Sequence, residues 1–243
     1  MRKTSIFSIL GLFALTFSPF LVRSQAQDAP LQGAWKSSTG AGEQVLIFQD
    51  DYVSYTSYDK EQKQFHYTYG GKTSFANNML SIRVEFNSAE KDNVGKTLST
   101  KTDISGDRLT THLNGVQQVW MRIDRGDKGL SGCWRISGRW DGTKMNPIKV
   151  GPRKTIKLLS STRFQWFAIN TETKEFFGTG GGSYDFENGK YVEHIEFFSR
   201  DSARVGASLG FDADLKNGEW LHSGLSSKGD PIKETWTRDA LKK

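Results

Sequence analysis

Apolar and polar residues alternate along most of the chain, the period-two pattern of half-buried β-strands. The segment KYVEHIEFF, Lys190 to Phe198, shows the pattern and one irregularity in it. Tyr191, Ile195 and Phe197 alternate as one face, with Glu193 among them. Val192, His194, Glu196 and Phe198 form the other. In the second half of the chain such strands fall near 131–138, 153–160, 163–170, 174–184, 190–198, 206–213, 218–224 and 231–238. Turn residues separate them. Helical periodicity is absent outside the N-terminal segment.

The first half repeats the second. LQGAWKSS from Leu31 matches LSGCWRIS from Leu130, and VWMRID matches TWTRDA, which aligns Trp120/Arg122 with Trp236/Arg238. Between these ends the copies run in register at a shift of 111. Phe65 falls on Phe176, Gly70-Gly71 on Gly181-Gly182, Glu85-Phe86 on Glu196-Phe197, and Val94-Gly95 on Val205-Gly206. The shift is 99 at the Gly-x-Trp and 116 at the last Trp, so the second copy carries an early insertion and a late one. The fold predicted is all-β: two tandem up-and-down antiparallel barrels of about eight strands each. The first spans 27–124 and the second 130–243, with a linker at 125–129. The Arg125-Gly126-Asp127 tripeptide in that linker reads as an ordinary turn.

The repeat assigns faces. Leu80, Ile82, Val84 and Phe86 underlie Tyr191, Glu193, Ile195 and Phe197, so that face is expected inside both barrels. His194 and Glu196 are expected in solvent. A one-residue slip would invert every side chain, so both copies share the assignment. Glu193 then replaces Ile82, His222 replaces Thr111 and Trp166 replaces Tyr55, all pointing inward. Asn188-Gly189 and Asn217-Gly218 mark tight hairpins at one end. Both insertions lie at the other end, which becomes the mouth of the second barrel, beside Arg139–Val150. That barrel is expected to hold the larger cavity.

Gly-x-Trp on the first strand with an Arg after the last strand's core residues resembles the lipocalin/calycin signature. Gly33/Trp35 with Arg122, and Gly132/Trp134 with Arg238, fit its positions. The resemblance covers both halves and is closest to secreted bacterial lipocalin-like proteins. It implies that Trp35 and Trp134 close the barrel floors, with Arg122 and Arg238 packed across them. Each copy is shorter than a typical lipocalin, and a C-terminal helix is missing.

Composition narrows the function. Residues 1–26 carry Arg2 and Lys3, then an apolar run, then Ser24-x-Ala26, the pattern of a cleaved secretory signal peptide. The protein is therefore expected to be secreted or periplasmic, without stable membrane insertion after cleavage. Arg2, Lys3 and Arg23 are three of the 33 basic residues, so the mature charge becomes +3 rather than +6. That mild, unclustered charge argues against a nucleic-acid partner. The single Cys133 excludes an intrachain disulfide and clustered-cysteine zinc sites. The four histidines have no metal-ligand spacing, so no metal or cofactor is implied. The GTGGGS run, Gly178 to Ser183, lacks a following helix and the lysine of a phosphate loop, and reads as tight strand curvature.

The candidate ligand-binding residues are Trp166, Tyr191, Glu193, Phe211, His222 and, at the mouth, Arg204. A small molecule is the expected partner. Three functions fit: a small-molecule carrier, a non-metal enzyme using Glu193 and His222 as an acid–base pair for isomerase, lyase or hydrolase chemistry, and an interaction module with both barrels structural. The copies are expected to unfold separately or nearly so, because each carries its own Gly-x-Trp and Arg floor. Glu193→Ile is expected to leave stability unchanged or higher if the glutamate serves a ligand.

Overall fold

A computed structural model describes residues 30–37, 42–113, 116–226 and 228–239. The leader lies outside the described residues. The fold is all-β, with two closed eight-stranded antiparallel barrels in tandem. Barrel one runs through β1 (Gly33–Ser37), β2 (Glu43–Gln49), β3 (Tyr52–Asp59), β4 (Gln64–Ala76), β5 (Met79–Asn87), β6 (Thr97–Ser105), β7 (Arg108–Leu113) and β8 (Val116–Asp124). Each strand pairs with the next, and β1 closes on β8.

Barrel two begins with β9 (Gly132–Trp140) and continues through β11 (Arg153–Leu159), β12 (Arg163–Asn170), β13 (Glu175–Glu187), β14 (Lys190–Phe198), β15 (Ser208–Lys216), β16 (Glu219–Leu225) and β17 (Pro231–Arg238). The β9–β17 pairing closes it. The early insertion forms β10 (Met145–Pro147), which pairs with Gly138 to Trp140 of β9 and prolongs the wall at the mouth. Two short 3-10 turns, Lys91–Asn93 and Ser202–Arg204, occupy equivalent loops.

Both floors are built alike. The indole of Trp35 donates to Leu31 O at 2.8 Å and that of Trp134 to Leu130 O at 2.7 Å. The Arg122 guanidinium lies 3.8 Å over the Trp35 ring, and that of Arg238 4.1 Å over Trp134. A Cβ on Gly132 would sit 1.2 Å from Arg238 Nη1, so only glycine lets the arginine close the floor. The linker is pinned as well: Gly126 O accepts from Gln32 and Gln49, and Asp127 N donates to Ser161 Oγ.

The strand faces depart from strict alternation at one place. A β-bulge falls between Gly181 and Gly182 opposite Ile195 and Phe197, and its counterpart between Gly70 and Gly71 opposite Val84 and Phe86. The extra residue reverses the alternation beyond it. Phe198, not Phe197, therefore faces the interior of barrel two, while Phe86 and Phe197 point out of their barrels. Glu196, expected in solvent, is buried: it accepts from Tyr58 Oη at 2.7 Å and from Arg163 at 2.5 Å. His194 does stay at the surface, bonded to Asp185 and Ser208.

These outward groups join the barrels. Val45, Ile47, Tyr52, Tyr58 and Phe86 of barrel one share a buried cluster with Ile156, Leu158, Phe167, Ile169 and Phe197 of barrel two. The contact is two-fold in the repeat's own register. Phe65 stacks on Phe197 at 6.2 Å, and its exchanged equivalent, Phe86 on Phe176, at 6.3 Å. Thr68 and Thr179, also equivalent, each accept from Gln165 Nε2 at 3.0 Å. This is the isologous geometry of a symmetric dimer, contained in one chain.

Candidate ligand-binding site

The interiors of the two barrels differ at equivalent positions. Barrel one encloses a residual cavity of about 40 Å³ lined by Leu46, Tyr69, Ile82, Thr111, Gln118 and Trp120, among others. Barrel two holds a cavity of about 190 Å³, lined by Lys157, Glu193, His222, Glu234 and Trp236 at the positions of Leu46, Ile82, Thr111, Gln118 and Trp120, and by Trp166 and Phe198. Two changes set it apart. Tyr69, stacked on Tyr55 at 5.0 Å, is replaced by Gly180, where even a Cβ would lie 2.8 Å from Phe198 Cδ2 and Trp166 Nε1, so those two rings take the space beside the glycine. The insertions then lengthen the mouth, where Arg139 and Ser226 line the entrance.

Inside, Leu46 and Ile82 of barrel one become Lys157 and Glu193. The Lys157 ammonium donates to Glu193 Oε1 at 2.6 Å, and Tyr191 Oη donates to the same oxygen at 2.9 Å. The pair is buried on both sides, with side chains 7% and 5% exposed. Four aromatic rings, Tyr191, Phe211, Trp220 and Trp236, surround the ammonium with centroids 5.1 to 5.5 Å away. Burial and the neighbouring carboxylate push the Tyr191 hydroxyl well above its usual pKa, so it remains a donor.

A second charged pair stands nearer the mouth. Arg139 donates to Glu234 Oε1 through Nε at 3.2 Å and Nη2 at 2.9 Å. Glu234 Oε2 lies 3.7 Å from His222 Nδ1, close enough for attraction but beyond a hydrogen bond. Burial and the Lys157 ammonium hold His222 down to about 4, against the pull of Glu234 and Glu193. The imidazole is thus neutral at pH 7. Burial raises the Glu234 carboxyl, but His222, Lys157 and Arg139 outweigh it and hold the group below the usual value.

Neither ring nitrogen of His222 has a hydrogen-bond partner, and the indole N–H groups of Trp220 and Trp236 lack one too. Barrel one resolves the same place: Trp120 Nε1 donates to Thr111 Oγ1 at 3.1 Å. Trp120 is the equivalent of Trp236, and Thr111 of His222. Unsatisfied buried polar atoms are uncommon, and each costs about 1–3 kcal/mol. Here several meet beside one cavity.

Of the residues singled out in the sequence, Trp166, Glu193, Phe211 and His222 line the cavity. Tyr191 lies behind it, bonded to Glu193. Arg204 is not among the lining residues: its Nε donates to Asp201, and its guanidinium lies 5.2 Å from the Phe198 ring. Glu193 and His222 are not a bonded pair: Glu193 accepts from Lys157 and Tyr191, whereas His222 makes no hydrogen bond and has Glu234 Oε2 3.7 Å from its Nδ1. Lys157, Arg139, Glu234 and Gly180 were missed. Lys157, Gly180 and Glu234 could have been found at the repeat shifts, as Leu46, Tyr69 and Gln118 stand opposite them. Among the described residues, no cluster of three or more His, Cys, Asp or Glu could hold a metal ion. No helix among them is long and apolar enough to cross a membrane.

Residues 129–243, which contain this cavity, match a family described as a domain of unknown function (DUF4488). No curated protein matches the chain.

Proposed function

We propose that the protein is an exported, lipocalin-like small-molecule-binding protein whose ligand site is the cavity of barrel two. Barrel one serves as a structural partner. The observation that carries this reading is the contrast between the equivalent pairs Trp120–Thr111, bonded, and Trp236/His222, both without partners beside an open cavity. A fold that needed only stability could have kept the threonine. Aromatic walls with a few polar anchors at a barrel mouth are a normal ligand site. The open cavity weighs against an interaction module with two filled barrels.

The test is native mass spectrometry of protein purified from its natural source, beside Gly180→Tyr. The expected result is a small molecule retained by the wild type and absent from the variant. A wild type free of any small molecule, with none recovered after denaturation, would overturn the reading.

Acid–base chemistry remains as a second reading because neutral His222 sits beside Glu234 at the cavity wall. It shifts the pair from Glu193/His222 to His222/Glu234. Turnover of the retained molecule, lost in Glu234→Gln, would establish it.

A further inference from the structure

The polar atoms left open in barrel two describe what would satisfy them. Trp236 Nε1–H needs an acceptor, and His222 offers one donor and one acceptor nitrogen. In barrel one a single hydroxyl, Thr111 Oγ1, answers the equivalent tryptophan. The rings of Trp236 and His222 stand 6.4 Å apart at 89°, with both residues on the cavity wall. Their nitrogens are covered rather than open to the cavity, so a hydroxyl entering between the two rings would accept from the indole and exchange a hydrogen bond with the imidazole.

Charge and size restrict the rest of the molecule. The cations Lys157 and Arg139 are each paired, with Glu193 and Glu234. A ligand ion deep in the cavity would need to break the buried Lys157–Glu193 pair or be buried uncompensated. The volume of about 190 Å³ is slightly larger than a 150 Å³ cavity that admits benzene, so one ring and a substituent fit. Trp166, Phe198 and Phe211 offer flat apolar walls for that ring.

We propose that barrel two binds an uncharged aromatic ring bearing a hydroxyl group, with the hydroxyl held between Trp236 and His222. This rests on the reading of the cavity as a ligand site and adds the chemical class of the ligand. Apolar contact with the walls supplies attraction that any ring would share. The hydroxyl supplies selectivity, because it alone answers the unpartnered nitrogens.

The experiment uses full-length protein labelled with ¹⁵N and follows tryptophan indole N–H resonances at pH 7.5. The probes are phenol, toluene, benzoate and benzylamine, and Trp236→Phe assigns the Trp236 signal. Phenol is expected to bind at least tenfold more tightly than each of the others and to move the Trp236 resonance, which toluene leaves in place. His222→Thr, which restores the barrel-one pairing, should cut the preference for phenol over toluene below threefold. Trp236→Phe should do the same, so a folding failure of one variant leaves the other decisive. Toluene binding as tightly as phenol, an ion binding more tightly, or a preference that survives both substitutions overturns the hydroxyl assignment while leaving the cavity in use. If none of the four probes binds, the ligand class is overturned. Retention of a small molecule from the natural source then decides separately whether the cavity is a site at all.

Discussion

Lys157 Nζ lies 2.6 Å from Glu193 Oε1, at positions where barrel one carries Leu46 and Ile82. The ion pair explains how barrel two tolerates a buried carboxylate. It also changes what Glu193→Ile tests. Removing one partner strands the other charge in an apolar interior, at about 3–5 kcal/mol. Glu193→Ile and Lys157→Leu should each lower stability by about that much. The double variant, which copies barrel one, should return to within about 1 kcal/mol of wild type or exceed it. Urea denaturation of the four proteins gives the cycle. A double variant as unstable as either single would show that the pair holds the fold through Tyr191 and the surrounding rings.

His222 gives stability a pH dependence of definite sign. Its folded value of about 4 lies below the ordinary 6.5, so between those values the unfolded chain binds a proton that the folded chain refuses. Stability from this residue is complete above about pH 6.5 and falls as the pH drops toward 4, by roughly 3 kcal/mol in all. Glu234, held low, loses its contribution only at still lower pH, below the ordinary carboxylate value. Thermal melts from pH 7.5 to 4 should show the decline in wild type. His222→Thr should flatten it, and an unchanged slope in that variant would assign the effect elsewhere.

The shared cluster makes the barrels interdependent. The outer face of barrel two buries Ile156, Leu158, Phe167, Ile169 and Phe197 against barrel one. Separate unfolding would expose that face to water. Full-length protein should therefore melt in one transition, and Phe197→Ala should lower the stability of the whole by about 3–5 kcal/mol. Calorimetry showing two separated transitions, with only one moved by the substitution, would restore the picture of independent domains.

The repeat made the architecture legible, because a duplicated Gly-x-Trp and a constant register of 111 are properties of the sequence alone. Strand number, the inward turn of Glu193 and His222, and the end of the barrel that opens all followed from it. The bulge did not. Gly70-Gly71 and Gly181-Gly182 were visible as a conserved pair between copies, but an extra residue opposite them reverses a face without altering the apolar count. Phe86 and Phe197 were thus placed inside when they hold the barrels together, and Glu196 was placed in water. Lys157 was passed over for a different reason: a long cationic side chain on a strand usually reaches solvent, and only the opposed Leu46 marks it as interior.

Gly180 provides the most direct control over the cavity. Its counterpart Tyr69 lines the small space of barrel one, and barrel two keeps the neighbouring glycines at the bulge but drops this one side chain. A tyrosine at 180 would begin with its Cβ 2.8 Å from Phe198 Cδ2 and Trp166 Nε1, closer than a Cβ packs, so both rings must shift to admit it. The cost should be that of moderate overpacking, about 1–3 kcal/mol, rather than loss of the fold. The gain is a cavity occupied by the protein's own ring. Gly180→Tyr should therefore remain folded by circular dichroism and lose retained ligand. Gly180→Ala, with a methyl group alone, should keep most of the ligand. If Gly180→Tyr holds its ligand as tightly as wild type, the open interior of barrel two is not where the ligand binds.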